Sequence, residues 1–336
     1  MTIDQAVSST GVPGLSLVRV AIPIPALRAV NVYVLELADG SLGLVDTGWD
    51  DDESWRSLTA GLAELGRRVE DVSVTVVTHA HPDHLGLARR VRDVSGARVL
   101  LHQEEHVRLG RNAAGPRTYV AAAREAFPRW GIDPGELEEW IGARAGVLAR
   151  SWDVETTPVV DGQLLDLPGW RLRAVWTPGH SPGHLCLYDE EHRLLFTGDH
   201  VLSRITPGVG VHPADPGDPL ADFLASLDKV ARLDVAQALP GHETPFADVA
   251  ARVAELRTHH RRRLEEIVAC VERDPGLTTW QVASRLTWSR PLAAITPPGR
   301  RLALTETQAH LVRLERNQTL NRTMDLATSV ERWTTA

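Results

Sequence analysis

The chain has 336 residues, 43% of them hydrophobic and 24% charged, an ordinary profile for a folded protein with an ample core. Its formal net charge of −8 excludes a uniformly basic nucleic-acid-coating surface, and no apolar run is long enough to span a membrane. The charge is uneven: residues 251–336 carry 14 arginines against 9 acidic residues, a net +5, which leaves −13 on the first 250.

Residues 1–15 are small and mostly polar and read as a loose or edge segment. They lack a basic stretch followed by an apolar one, so no signal peptide is expected and the reading is cytoplasmic. Leu17 to Ala21 and Asn31 to Leu37 read as strands, Ala38-Asp39-Gly40 as a tight hairpin turn, and Leu42 to Val45 as the next strand. Asp46 closes that strand. A helix is expected from about Glu53 to Arg67, a strand over Ser73 to Thr78, a helix over Leu85 to Val94 and a strand over Arg98 to His102. This order is that of an α/β protein with a layered sheet.

Gln103 to Arg150 is long and mostly helical in pattern. Thr118 to Phe127 reads as one helix. Asp133-Pro134-Gly135-Glu136 supplies an N-cap, a proline at N1 and a glutamate at N3, opening a second helix expected from Glu136 to Leu148. Phe127, Trp130, Trp140 and Trp152 punctuate the stretch, either gluing helices together or lining an acyl or ring pocket. A strand-rich half follows: Val159 onward, Leu172 to Trp176, Leu185 to Tyr188 and Leu194 to Thr197. Asp218-Pro219 starts a helix to about Leu233, and Val235 to Leu239 is a final strand. Cys186 and Cys270 lie in apolar runs, which points to buried thiols rather than a disulfide or a nucleophile.

From about Asp248 a long helix carries Ala251, Val253, Leu256, Leu264, Ile267 and Val268 as an apolar stripe. Thr278-Thr279-Trp280-Gln281 is a capping-box start for a short helix through Leu286. A third helix reads from about Thr305 to Glu315, and Asn317 to Trp333 reads as a small hairpin. The divisions expected are a domain over 1–250, with a helical insertion at 103–150, and a small, mostly helical domain over 251–336.

Chemistry concentrates in Thr78-His79-Ala80-His81-Pro82-Asp83-His84, three imidazoles and a carboxylate in six residues, placed where a strand ends and a helix begins. So many neutral nitrogens beside a carboxylate suit a first-row divalent metal. The stretch resembles the HxHxDH signature of the metallo-β-lactamase-fold hydrolases. The remaining pieces of that pattern follow in order: Asp46 in Leu44-Val45-Asp46-Thr47-Gly48, His180 in Thr177-Pro178-Gly179-His180, Asp199 in Thr197-Gly198-Asp199, and His242 in Pro240-Gly241-His242. The resemblance covers roughly residues 16 to 250.

It implies a four-layer αββα sandwich with the site at one edge between the sheets. It also implies that His79, His81 and His180 hold one ion, that Asp83, His84 and His242 hold a second, and that Asp199 bridges both. Two zinc ions are expected, and the same donors would tolerate iron or manganese. Asp46 is expected to steady the ligand loops, while His184 and His200 lie beside ligands in supporting or substrate-side roles. The loop Ile22-Pro23-Ile24-Pro25 borders the site in relatives of this fold, or is a rigid connector. The insertion at 103–150 forms a lid in some relatives. The tail resembles the winged-helix-like tail of one branch, whose members commonly have glycine where this chain has Glu243 after His242.

The reaction so implied is attack of a metal-bridging hydroxide on a small ester-like carbonyl, a thioester or a lactone, with Asp83 as proton acceptor. A single-strand endoribonuclease or phosphodiesterase is the first alternative and a β-lactamase-like amide hydrolase the second. The acidity of the first 250 residues disfavours a polyanion, and no interleaving of aromatic residues with arginine marks the tail as a nucleic-acid module. The partners expected are therefore a small-molecule substrate, no membrane, and for the tail a packing or homodimer contact.

Overall fold

The computed structural model describes residues 6–111, 116–141, 154–215 and 217–336. Strands β1 (Val7–Ser9), β2 (Leu15–Ala21), β3 (Ala29–Glu36) and β4 (Leu42–Val45) form an antiparallel meander. The sheet continues in parallel through β5 (Val72–Val76), β6 (Arg98–His102) and β7 (Thr157–Val159), for seven strands in chain order. A second sheet has the order β11-β10-β9-β8, from β8 (Leu172–Trp176), β9 (Leu185–Asp189), β10 (Leu194–Gly198) and β11 (Gln237–Pro240), with only β10 and β11 parallel.

Alternation along the strands builds the layers. Leu15, Leu17, Tyr33, Leu35, Val74 and Val76 of the first sheet meet Leu172, Ala174, Leu185, Leu187, Leu194 and Phe196 of the second in one buried core. The opposite faces of the same strands, Val18, Val20, Val32, Val34 and Leu44, pack against Leu58 and Leu62 of α1 (Asp52–Glu64) and Val91 of α3 (Ala88–Ser95). Gly61 of α1 sits so close to β2 that an added Cβ would lie 2.3 Å from Val18 Cγ1. On the outer side of the second sheet, Lys229 in the last turn of α7 (Pro219–Val230) donates to the Trp176 carbonyl of β8 at 2.6 Å. The αββα order expected from the sequence is the one observed.

The metal-loop helix differs from its expected form. Leu85 to Val94 is not continuous: α2 is only Pro82–Leu85, and α3 begins at Ala88. Gly86 stands at the break, where a Cβ would meet the Pro82 carbonyl at 2.3 Å and the Asp50 amide at 2.6 Å. Helix α4 (Gln103–Arg111) follows β6.

The chain groups into two compact units. The first takes Met1–Ala113, Leu148–Pro207 and Ser226–Val253, and the second Ala114–Val147, Gly208–Ala225 and Ala254–Ala336. The inserted helices α5 (Pro116–Arg129) and α6 (residues 134–141) thus group with the C-terminal residues. Their aromatic side chains explain why. Phe127, Trp130 and Trp140 are all buried, the Trp140 ring packs edge-on against Trp280 at 5.0 Å, and the Trp130 carbonyl accepts from the Trp280 amide. These three rings are buried in the interior of the second unit. Trp152 and the expected end of the helix at Leu148 lie outside the described residues.

Helices α7 (Pro219–Val230) and α8 (Val249–Arg273) each have residues in both units. Helix α9 (Thr279–Ala283) starts from Thr278 with the reciprocal capping box that its sequence promised. Helix α10 (Pro297–Arg316) begins eight residues earlier than expected, because Pro297 and Pro298 open the helix at positions that need no amide donor. The hairpin is β12 (Leu320–Asp325) with β13 (Val330–Thr335), and Trp333 is buried with Ile267, Val282, Leu311 and Leu314 in the core of this unit. Cys186 and Cys270 are both free and buried.

Candidate metal centre

Seven side chains from four loops converge at one edge of the sandwich, all within the first unit. Three groups of donors have ligand atoms within 4.8 Å of one another: His79, His81 and His180; His79, His84 and Asp199; and Asp83, His84 and His242. His79 Nε2 and His180 Nε2 both face His81 Nδ1, at 2.8 and 3.1 Å. His242 Nε2 lies 3.3 Å from Asp83 Oδ2 and 3.5 Å from Asp199 Oδ2, and His84 Nε2 lies 3.5 Å from Asp199 Oδ1. Asp199 Oδ2 also lies 3.7 Å from His180 Nε2, so this carboxylate stands between the two histidine sets.

Hydrogen bonds behind the donors fix which nitrogen points inward. Asp46 follows β4 in a left-handed conformation, φ +62°, which aspartate tolerates better than most residues. Its carboxylate accepts from the Thr78 amide at 2.8 Å, from Thr78 Oγ1 at 3.0 Å and from His84 Nδ1 at 2.7 Å. Thr78 Oγ1, donating to Asp46, is left to accept from His79 Nδ1 at 3.1 Å. His242 Nδ1 donates to the Ala29 carbonyl at 2.8 Å. In each case Nδ1 holds the proton, and Nε2 of the neutral ring offers its lone pair to the centre.

The fit to divalent metal is visible in what these atoms lack. His84 Nε2, His242 Nε2 and Asp199 Oδ1 are buried and make no well-formed hydrogen bond, a costly state unless a cation completes them. The donor set of nitrogen and carboxylate oxygen, with no sulfur, is that of a first-row divalent ion. Burial alone would raise the carboxyl of Asp83, yet the His84 and His242 imidazoles bring it down to about 2. Asp199 is likewise held well below the usual carboxylate range against the effect of burial, by His242 and His84. Conversely, burial would depress His84, but Asp46, Asp199 and Asp83 hold it well above an ordinary histidine.

His184 and His200 sit differently. The amide of Asp199 donates to His184 Nε2 at 3.1 Å, and His184 Nδ1 pairs with Thr177 Oγ1 at 2.8 Å. Nε2 thus holds the Asp199 backbone while Nδ1 is tied to Thr177, so both ring nitrogens are engaged within the protein. His200 is fully buried, and burial lowers its pKa to about 3.

Several supporting residues escaped sequence reasoning because they act through the backbone. Asn31 Nδ2 and Tyr33 Oη both donate to the Pro240 carbonyl, at 2.8 and 2.9 Å, and so anchor the loop that delivers His242. Glu105 accepts from the Gly183 amide in the loop after His180. At Gly241 a Cβ would lie 2.7 Å from Asp199 Oδ1 and 2.8 Å from His84 Cε1, so only glycine leaves the donors room. The conspicuous signal available was the threonine before His79 and the glycine before each of His180, Asp199 and His242.

The family profile of the Metallo-beta-lactamase superfamily matches residues 25–242. The chain is similar to the Bacillus subtilis protein named probable metallo-hydrolase YqjP, 28% identical over 310 residues, which covers 90% of this chain and 93% of that one. It is also similar to the atrochrysone carboxyl ACP thioesterase of Aspergillus fumigatus, 25% identical over 250 residues, or 73% of this chain and 61% of that protein. Among solved structures, a metallo-beta-lactamase family protein from Thermus thermophilus superposes with a TM-score of 0.82 at 35% identity, covering 97% of this chain and 99% of that one.

Proposed function

Since the chain belongs to the metallo-beta-lactamase superfamily and is a metal-dependent hydrolase, we propose that it hydrolyses a small ester-like carbonyl substrate, a thioester or a lactone, at a two-ion centre. The observation that carries this reading is the convergence of seven His and Asp donors around buried atoms that no protein group satisfies. His79, His81 and His180 would hold one ion, Asp83, His84 and His242 the other, and Asp199 would serve both. Zinc suits the set best. When bound, the ions supply Lewis acidity and an acidified water at neutral pH.

The chain supplies the rest. Asp83, buried beside His84 and His242, would accept the proton of the attacking water and return it to the leaving thiol or alcohol. His184 holds Asp199 from behind, and Asp46 keeps His84 in one tautomer. No protein nucleophile is required. Cys186 is buried and its thiol is pushed up to about 12, which removes the one cysteine near these loops from contention. A carbonyl substrate is supported by the thioesterase named among the relatives and by the −13 charge of residues 1–250, which repels a polyanion.

In the second unit, helices followed by a two-stranded hairpin keep the order of a winged-helix-like tail, for which we propose a packing or self-association role. No helix among the described residues is long and apolar enough to cross a membrane.

The test is a hydrolysis panel on the zinc-loaded protein: acyl-CoA and glutathione thioesters, acyl-homoserine lactones, a β-lactam, bis-p-nitrophenyl phosphate and single-stranded RNA. The Asp199→Ala protein is the blank. Turnover of thioester or lactone supports the proposal, and turnover of RNA or phosphodiester alone defeats it.

A further inference from the structure

Immediately after His242, Glu243 adopts φ +67°, a left-handed conformation that a glutamate occupies only at a cost. Its carboxylate, with a side chain only 10% exposed, is committed to one short segment of the first unit. Oε2 accepts from the Arg204 amide at 2.7 Å, the Ile205 amide at 3.2 Å and Ser203 Oγ at 3.2 Å, while Oε1 accepts from Arg204 Nε at 3.3 Å. From the other side, Arg252 donates to the carbonyls of Leu202, Arg204 and Ile205, each at 2.8 Å. A loop that leaves the centre just after Asp199 is therefore clamped through its own backbone, by a carboxylate on its amides and a guanidinium on its carbonyls.

What the clamp presents is Arg204. Its side chain is 82% exposed, it is tethered at Nε, and its two terminal nitrogens make no hydrogen bond with any described residue. A guanidinium fixed at one corner with its outer edge free is a preorganised fork for a tetrahedral anion. The neighbouring Ile205 is 40% exposed and offers an apolar surface beside the fork. Residues 1–250, among which they lie, carry a net −13, so an arginine held outward stands apart from its surroundings. The biological carriers of acyl thioesters have this same pairing of features: a phosphate next to a branched dimethyl carbon, on an arm that continues through two amides to the thiol.

We propose that Arg204 is the specificity-determining residue that binds the phosphate of a phosphopantetheine-type thiol carrier, and that Glu243 is the positioning residue that holds it beside the His242 loop. This rests on the thioester half of the function proposed above. The discriminating quantity is the ratio of kcat/KM for an acyl-phosphopantetheine thioester to that for the neutral acyl-N-acetylcysteamine thioester. Arg204→Ala is expected to lower that ratio ten-fold or more, through KM, and Arg204→Lys to lower it less. Glu243→Gly is expected to lower it as well although Arg204 is retained, and Glu243→Gln serves where the glycine variant fails to fold. An acyl-CoA arm identifies the phosphate: an equal loss points to the pantetheine phosphate, and a loss seen with acyl-CoA alone points to those of the nucleotide.

An unchanged ratio in Arg204→Ala overturns the proposal, and an unchanged ratio in both Glu243 variants overturns the positioning role. A wild-type protein that turns over no thioester sinks the thioester reading itself. Calorimetric titration of 4′-phosphopantetheine into metal-loaded wild type and Arg204→Ala then decides the phosphate claim separately. Binding that is lost in the variant sustains it, and absent or equal binding overturns it.

Discussion

Asp46→Asn isolates the control of a ligand tautomer. The backbone at this position has φ +62°, a region asparagine enters about as readily as aspartate, so the change adds no strain of its own. The asparagine oxygen can still accept from the Thr78 amide, 2.8 Å away in the wild type. Its amide nitrogen then replaces Oδ2, which lies 2.7 Å from His84 Nδ1. Two donors cannot face each other at that distance, so His84 must move its proton to Nε2, the atom that should carry the lone pair. Loss of such a partner behind a ligand histidine weakens metal binding by about 10- to 100-fold, or about 1.4 to 2.7 kcal/mol. Competition against a graded series of chelators reads the affinity of each ion, and nitrogen-15 spectra of the histidine rings read the tautomer. The ion bound through His79, His81 and His180 should be affected less. Full affinity for both ions with His84 still protonated at Nδ1 would refute the argument. Asp46→Ala is the harsher control: it strands the buried Thr78 amide and His84 Nδ1, at roughly 1–3 kcal/mol each, and it places alanine at positive φ.

Elemental analysis of reconstituted wild type should give close to two ions per chain, and Asp199→Ala should fall below one, with loss of turnover. Dipicolinate treatment should abolish hydrolysis and zinc should restore it, whereas activity that survives metal removal would contradict a metal-dependent centre. In the second unit, Gly131→Ala should destabilise by roughly 1–3 kcal/mol in thermal unfolding, because φ is +93° and the new Cβ would lie 2.4 Å from Thr278 Oγ1. The buried pair His260 and His310 predicts acid sensitivity. Burial and their mutual proximity push His260 down to about 2, and burial pushes His310 down to about 4. Both fold as neutral rings, so their contribution is complete above pH 6.5 and is lost as pH falls towards those values, at about 1.4 kcal/mol per pH unit for each. Replacing both with phenylalanine should flatten the unfolding midpoint between pH 6.5 and 4, and an unchanged slope would reject the assignment.

Much of the first unit was legible because its physics is local. Strands such as Leu172–Trp176 and Arg98–His102 stand where the apolar runs place them, and the donor residues ride in short loops between a strand and its successor. What stayed hidden depends on contacts far apart in sequence. Tyr33 and Pro240 are 207 residues apart, and Asn31 and Glu243 are 212 apart, yet both pairs fix the His242 loop. No pattern within a window of one helix or strand can reveal such a bond. The start of α10 was missed for the opposite reason, since Pro297-Pro298-Gly299 is punctuation in most contexts and a helix opening in this one. The inserted tryptophans were ambiguous because a large ring looks the same in sequence whether it faces a ligand or a neighbouring helix, and the contact of Trp140 with Trp280 lies 140 residues away along the chain.

The same long-range bonds show why the centre and the sandwich are one construction. The His242 loop hangs on Asn31, Tyr33 and Ala29 of the first sheet, although its strand β11 belongs to the second. The loop between β4 and α1 holds His84 through Asp46, and through Thr47, whose amide and hydroxyl both donate to the His84 carbonyl. Asp199 leaves the second sheet and is held by His184, from the turn before β9. His242, His84 and Asp199 are thus each positioned by an element other than the strand that delivers them, and a shift of one sheet relative to the other by a fraction of an ångström would change the distances between donors of the two sheets at once. Closely packed sheets resist such sliding because their interdigitated side chains cannot deform continuously. The apolar core between the sheets is therefore what preorganises the donors, and substitutions deep in it, such as Phe196→Leu, should lower metal affinity together with stability, even though no ligand has been touched.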